Sequence, residues 1–210
     1  RLRERSGLYL IITEPKIDHA TLVAAAVERA VPVIQLREKS APDEELEALA
    51  RRLSAATRGT ETLFIVNDRP DLAAAVGADG VHVGRADTDA GTARDIVGPD
   101  AIVGVSANTP GEVDAARLAG ADYVGAGPVY PTATKPDARA PIGLDGLRAV
   151  VGTTGRGLPV VAIGGITSAT ARAVLRAGAD YVAVVSAICH ADDPIAAMDE
   201  FLDAISKSTS

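Results

Sequence analysis

The chain has 210 residues, enough for one barrel-sized domain and too few for two. Its net charge of -7 excludes a surface built to neutralise nucleic-acid phosphates, and its one cysteine, Cys189, excludes an intrachain disulfide and points to the cytoplasm. With 47% hydrophobic residues, no tryptophan and no apolar run near the ~18 residues that span a bilayer, the composition is that of many short buried strands rather than a membrane segment.

The charged start, residues 1–6, reads as an N-terminal extension without an assigned role, on a single domain taken as 1–210. Short apolar runs then recur in chain order: Leu8 to Thr13, Pro32 to Leu36, Leu63 to Asn67, Gly80 to Val83, Ile102 to Ser106, Tyr123 to Gly127, Pro159 to Ile163 and Tyr181 to Ser186. Ala-rich segments with helical spacing separate them, for instance Val113, Ala116, Arg117 and Gly120. Strand-helix alternation predicts a parallel sheet, and eight repeats in this length predict a closed (β/α)₈ TIM barrel. Gly-Ala-Asp-x-Val recurs at Gly77, Gly120 and Gly178, each time between a helix and a strand, as a helix-ending turn. Thr109-Pro110-Gly111-Glu112 predicts a capped helix start.

In such a barrel, function is sought where the strands end. After the second run, alternation puts Gln35, Arg37 and Lys39 on one side, where an amide and two cations could meet an anion; a solvated charge run is the plainer alternative. The third ends in Asn67-Asp68-Arg69-Pro70, and the loop after the fourth carries Arg85 and Asp87. Carboxylates on adjacent loops suit an octahedral Mg²⁺, although Asn-Asp-x-Pro is also good turn chemistry. The stretch from Val129 to Gly143 holds Thr132, Thr134 and Lys135 in a proline-stiffened loop, suited to phosphate oxygens and to closing over a substrate. Gly164-Gly165 after the seventh run and Val185-Ser186 at the end of the eighth match the phosphate site often built there.

Other conspicuous residues are expected to do no chemistry. His19 and His190 have no evident partner in the sequence, Cys189 has no nearby base, and His82 is expected to be structural, facing the barrel mouth or a polar layer. No nucleophile elbow, zinc-binding helix or Walker loop is present.

Taken together, these segments resemble the thiamine phosphate synthase family from about Leu8 to Ile188. The motifs are Gln-Leu-Arg-Glu-Lys from Gln35, Asn-Asp-Arg from Asn67, Gly-Ala-Asp-Gly-Val-His-Val-Gly from Gly77, Gly-Pro-Val-Tyr-Pro-Thr-Ala-Thr-Lys from Gly127 and Ala-Ile-Gly-Gly-Ile from Ala162. The resemblance implies transfer of a hydroxymethylpyrimidine group from its diphosphate to thiazole phosphate, by a dissociative route. It also implies that Gln35, Arg37, Lys39, Asn67, Ser106 and Lys135 hold the pyrimidine diphosphate, that Asp68 and Asp87 bind one Mg²⁺ per subunit, and that Thr132, Thr134, Gly165, Val185 and Ser186 hold the thiazole phosphate. The implied partners are these small molecules, with no nucleic acid and no membrane. The sequence departs from the family's pattern at Arg85-Ala86, at Ala107-Asn108 and at Glu14. A barrel isomerase similar to the thiazole tautomerase and a non-catalytic phosphate-ligand-binding barrel are the rival readings. An isomerase has no need of two Mg²⁺-suited carboxylates together with Lys135, and a non-catalytic barrel is expected to have lost a metal Asp or the Thr-x-Thr-Lys loop.

Overall fold

The computed structural model describes residues 2, 5–84, 88–132, 134, 139–155 and 157–206. Strands β1 (Gly7–Ile12), β2 (Val33–Leu36), β3 (Leu63–Asn67), β4 (Gly80–Val83), β5 (Ile102–Ser106), β6 (Tyr123–Ala126), β7 (Val160–Ile163) and β8 (Tyr181–Val184) are parallel to their neighbours. They coincide with the eight expected apolar runs to within a residue or two at each end. Between them lie α1 (His19–Glu28), α2 (Asp43–Thr57), α3 (Pro70–Val76), α4 (Ala90–Val97), α5 (Pro110–Leu118), α6 (Gly143–Thr154) and α7 (Ser168–Arg176). A short α8 (Ser186–Cys189) and α9 (Pro194–Ser206) follow the last strand. Gly7 pairs with Tyr181, so the sheet closes in sequence order. Among the described residues no helix is long and apolar enough to cross a membrane.

Period-two alternation divides the apolar side chains between two cores. Leu8, Leu10 and Ile12 face outward into the layer between strands and helices. Tyr9 and Ile11 face inward, where they meet Val33, Ile65, Tyr123, Val161 and Tyr181. Three of the chain's four tyrosines therefore lie inside the barrel, and burial raises all three phenols well above their ordinary pKa. Gly104 makes room for one of them. A Cβ there would sit 2.0 Å from the Tyr123 Cζ, and Gly104 lies between His82 and Tyr123 in the strand register.

The Gly-Ala-Asp repeats have one structural purpose. Each glycine has positive φ, and each following aspartate reaches back to the strand before the helix. The amides of Phe64, Val103 and Val160 donate to the carboxylates of Asp79, Asp122 and Asp180 at 2.9, 2.8 and 2.7 Å. The backbone N–H groups of the same three aspartates donate to the carbonyls of those same strand residues. Each αβ turn is thereby stitched to the N-terminal end of the neighbouring strand. The start of the chain also contributes here: Leu2 is buried against the inner core, and Tyr181 donates its hydroxyl hydrogen to the Leu2 carbonyl at 2.9 Å. Residue 2 thus helps to plug the barrel floor, a role the sequence did not assign to residues 1–6.

Thr109 caps α5 as expected, accepting from the Glu112 amide at 3.3 Å. Glu112 reaches one residue further back than a capping box would place it and accepts from the Asn108 amide at 2.7 Å. Its carboxylate also accepts from Arg139 at 3.0 Å, which ties the far end of the Val129 to Gly143 stretch to α5.

Candidate active site

At the C-terminal rim a cavity of about 770 Å³ brings together residues from opposite sides of the barrel. Arg37, Glu38 and Lys39 line one side; Thr132, Thr134, Gly165 and Ser186 line the other. The expected division into a cationic group and a hydroxyl group is therefore present in one space. A second cavity, near Arg5, Arg58 and Glu61, lies at the opposite end of the barrel, where the strands begin.

On the cationic side, the β1 and β2 ends hold each other. The Arg37 amide donates to the Ile12 carbonyl at 2.9 Å, and the Thr13 hydroxyl donates to the Arg37 carbonyl. Glu38, nearly buried, accepts from the Glu14 amide and pairs with His19 Nε2, each at 2.7 Å. Glu14 has φ 40, a left-handed conformation that a non-glycine residue adopts at a cost, so Glu38 pins a strained turn. The expectation that His19 stands alone is overturned: the pairing joins residues 19 apart in sequence and becomes visible only once β1 and β2 are adjacent. Replacing Glu38 by Ala leaves the Glu14 amide and His19 without their acceptor. A loss of about 1–3 kcal/mol in unfolding free energy by denaturant titration is expected. A stability equal to that of the unsubstituted protein would show that the rim does not depend on this carboxylate.

Asp68 sits just beyond β3 with φ 60, and its amide donates to the His82 carbonyl at 2.8 Å. Its carboxylate lies 3.3 Å from Lys39 Nζ, so a predicted metal ligand and a predicted diphosphate contact are neighbours. Asn67 pairs with His82 in the β3–β4 register. Asp87, Lys135 and Arg85 lie outside the described residues. Arg69, part of the same motif, is not among the residues lining the cavity; it bridges Asp43 and Asp71, each at 2.8 Å, joining the starts of α2 and α3.

The hydroxyl side is compact. Thr132 Oγ1 accepts from the Thr134 amide at 3.2 Å and donates to the Thr134 hydroxyl at 3.3 Å, which lies 3.1 Å from Ser186 Oγ. Gly164 and Gly165 have φ values of 98 and 64, and a Cβ on either would fall 2.4 Å from Pro128 or from the Pro131 carbonyl oxygen. Their lack of side chains lets the β6 loop lie directly on the β7 end. The Val129 and Tyr130 amides donate to the Ile163 and Gly164 carbonyls at 2.8 and 3.0 Å. Asn108 fixes the other side of that loop, exchanging two hydrogen bonds with the Gly127 backbone at 2.6 and 2.9 Å. Val185 is partly buried against the inner core and precedes α8. His190, expected to be idle, lines the cavity beside Ser186 and Ala187.

Gln35 and Ser106 lie away from the cavity's lining and belong to a polar chain across the barrel interior. Gln35 Nε2 donates to the Tyr9 hydroxyl at 2.8 Å, and the Tyr9 and Tyr123 hydroxyls are 2.8 Å apart. His82 Nδ1 is 2.9 Å from the Tyr123 hydroxyl, and its Nε2 is 3.1 Å from Ser106 Oγ. Burial lowers the His82 pKa to about 4. Cys189 is buried, with its thiol raised to about 11 chiefly by desolvation, and is no nucleophile. Sequence reasoning missed Tyr9, Tyr123 and Glu38. The available signal was a tyrosine at an inward position of a strand made otherwise of aliphatic residues.

A family model described as thiamine monophosphate synthase matches residues 8–188. A thiamine-phosphate synthase from Moorella thermoacetica is 42% identical over 96% of each chain. A thiamine biosynthesis bifunctional protein, ThiM/ThiE, from Symbiobacterium thermophilum is 48% identical over 99% of this chain, which spans 42% of that longer protein. Among solved structures, a thiamine phosphate pyrophosphorylase from Pyrococcus furiosus superposes with a TM-score of 0.90 at 40% identity, covering 100% of both chains.

Proposed function

The chain belongs to the thiamine monophosphate synthase family, and from that membership we propose that it transfers a hydroxymethylpyrimidine group from its diphosphate to thiazole phosphate, giving thiamine phosphate and diphosphate. It is a transferase of thiamine biosynthesis. The observation that carries the mechanism is one rim cavity with Arg37 and Lys39 facing Thr132, Thr134 and Ser186. Two anionic substrates need two anion subsites within reach of each other, and departure of a diphosphate needs cations more than it needs a nucleophile.

In this reading Gln35, Arg37, Lys39, Asn67, Ser106 and Lys135 hold the pyrimidine diphosphate, and Thr132, Thr134, Gly165, Val185 and Ser186 hold the thiazole phosphate. Arg37 and Lys39 stabilise charge on the leaving oxygens, where Arg can engage two oxygens at once and Lys acts as a point charge. The hydroxyl cluster orients the phosphate of the second substrate so that its ring nitrogen faces the carbon being released. Asp68, a hard oxygen donor at the rim, suits Mg²⁺, with Asp87 as the second protein ligand. Mg²⁺ commonly takes one or two protein carboxylates, so the two aspartates would suffice, with water and substrate oxygens filling the rest of its shell. When bound, Mg²⁺ supplies charge neutralisation to the diphosphate. A cytoplasmic location fits the single cysteine.

Purified protein given Mg²⁺ and both substrates is expected to form thiamine phosphate and diphosphate in equal amounts, measured by chromatography and phosphate-coupled assay. Folded protein that forms neither product would refute the assignment.

A further inference from the structure

We infer that Gln35, Tyr9, Tyr123, His82 and Ser106 form a one-way hydrogen-bond chain across the barrel that makes the Ser106 hydroxyl a fixed donor toward bound substrate, with His82 as a positioning residue. The inference rests on the proposed placement of the pyrimidine substrate beside Ser106. Its direction follows from counting donors and acceptors in a space where an unpaired polar group is costly. Gln35 Nε2 donates to the Tyr9 oxygen at 2.8 Å. The buried Tyr9 hydroxyl must place its own hydrogen, and the Tyr123 oxygen at 2.8 Å is the acceptor in reach.

Tyr123 is in turn fully buried and has one hydrogen to give. Gln35, which also reaches Tyr123, acts toward it as a donor, so the acceptor left for that hydrogen is His82 Nδ1 at 2.9 Å. An imidazole that accepts at Nδ1 is neutral and carries its hydrogen on Nε2, which donates to Ser106 Oγ at 3.1 Å. Ser106 is left with its own hydrogen and no reason to turn it back toward a nitrogen that already bears one. It stands at the C-terminal end of β5, partly exposed, which leaves that hydrogen free to turn toward the barrel mouth. The strand glycines allow this geometry. Gly104 lies between His82 and Tyr123, and a Cβ on Gly125 would come within 3.0 Å of the His82 ring.

The ligand atom that meets Ser106 must then be an acceptor, such as a ring nitrogen. A prepaid orientation of this kind lowers the ordering cost of substrate binding. Without it the serine hydroxyl would sample donor and acceptor states alike.

The test has two arms. In the first, ¹⁵N-histidine-labelled native protein without ligand is examined by NMR, the signals of the three histidines being separated with His19→Gln and His190→Gln. An unprotonated Nδ1 and a protonated Nε2 on His82 are expected; the opposite tautomer overturns the chain. The second arm is a kinetic double-mutant cycle. Ser106→Ala is expected to lower kcat/KM for the pyrimidine diphosphate about 10-fold, and His82→Asn by a similar factor. Adding Ser106→Ala to His82→Asn should cost less than about 2-fold more. KM for thiazole phosphate should stay within about 2-fold throughout. Effects that multiply in full, or that fall equally on both substrates, would reduce His82 to a packing role. The first arm needs no turnover, so an inactive wild type would refute the functional assignment while leaving the chain to stand or fall separately.

Discussion

Asp68→Asn is expected to lower turnover roughly 100-fold at a Mg²⁺ concentration that saturates the unsubstituted protein, while the melting temperature changes little. The choice of Asn separates charge from backbone. Asp68 has φ 60, and Asn is among the few non-glycine residues that enter this region readily, whereas Ala there would add strain of about 1 kcal/mol or more. The ion pair with Lys39 at 3.3 Å, on a residue more than half exposed, contributes about 0–1 kcal/mol, so its loss is nearly silent in stability. What Asn cannot supply is an anionic oxygen for a hard divalent cation beside a diphosphate. A loss of about 2.7 kcal/mol in transition-state stabilisation corresponds to that 100-fold. The Mg²⁺ concentration for half-maximal rate should also rise. Unchanged turnover and unchanged Mg²⁺ dependence would remove Asp68 from the proposed metal site.

The second large effect is structural. Gly104→Ala places a carbon 2.0 Å from Tyr123 Cζ and 2.4 Å from its hydroxyl oxygen, inside a closed barrel with no direction of retreat. Overpacking of this kind costs about 3 kcal/mol, which for a chain of this size is roughly 6–12 °C in Tm. The displaced ring must also give up its bonds to Tyr9 and His82, so turnover should fall even below the melting transition. Gly111→Ala is the matched control, because nothing lies within 4 Å of the added carbon and its helix gains a better former. Equal Tm values for the two variants would show that the barrel interior yields more easily than its contacts imply.

The barrel itself was legible because parallel strands covered on both faces read as unbroken apolar runs, and Gly-Ala-Asp marked the turns between them. Arg37, Lys39, Thr132, Thr134 and Ser186 were legible for a related reason: strand ends and loops in this architecture converge on one rim, so polar residues there find each other in space. Alternation placed Gln35 with Arg37 and Lys39, yet Gln35 is buried two residues deeper along the strand and faces Tyr9 rather than the cavity lining. Contacts that cross the barrel were not legible. Tyr9 and Tyr123 are 114 residues apart, and neither periodicity nor motif says which inward side chains from opposite strands are long enough to touch. His19 with Glu38 is the same case at the rim.

The three aspartate stitches of the αβ turns have a consequence for how this protein can change. They lie at the end where the strands begin, so this part of the barrel's fastening uses a different set of residues from those that meet ligands. Loops on the far rim can be exchanged, lengthened or retuned without drawing on these three stitches, although rim contacts such as that of Glu38 must then be kept. The architecture therefore separates part of its endurance from innovation, and variation at rim positions outside Glu38 and Gly164-Gly165 should yield new ligand preferences more often than it yields unfolded chains.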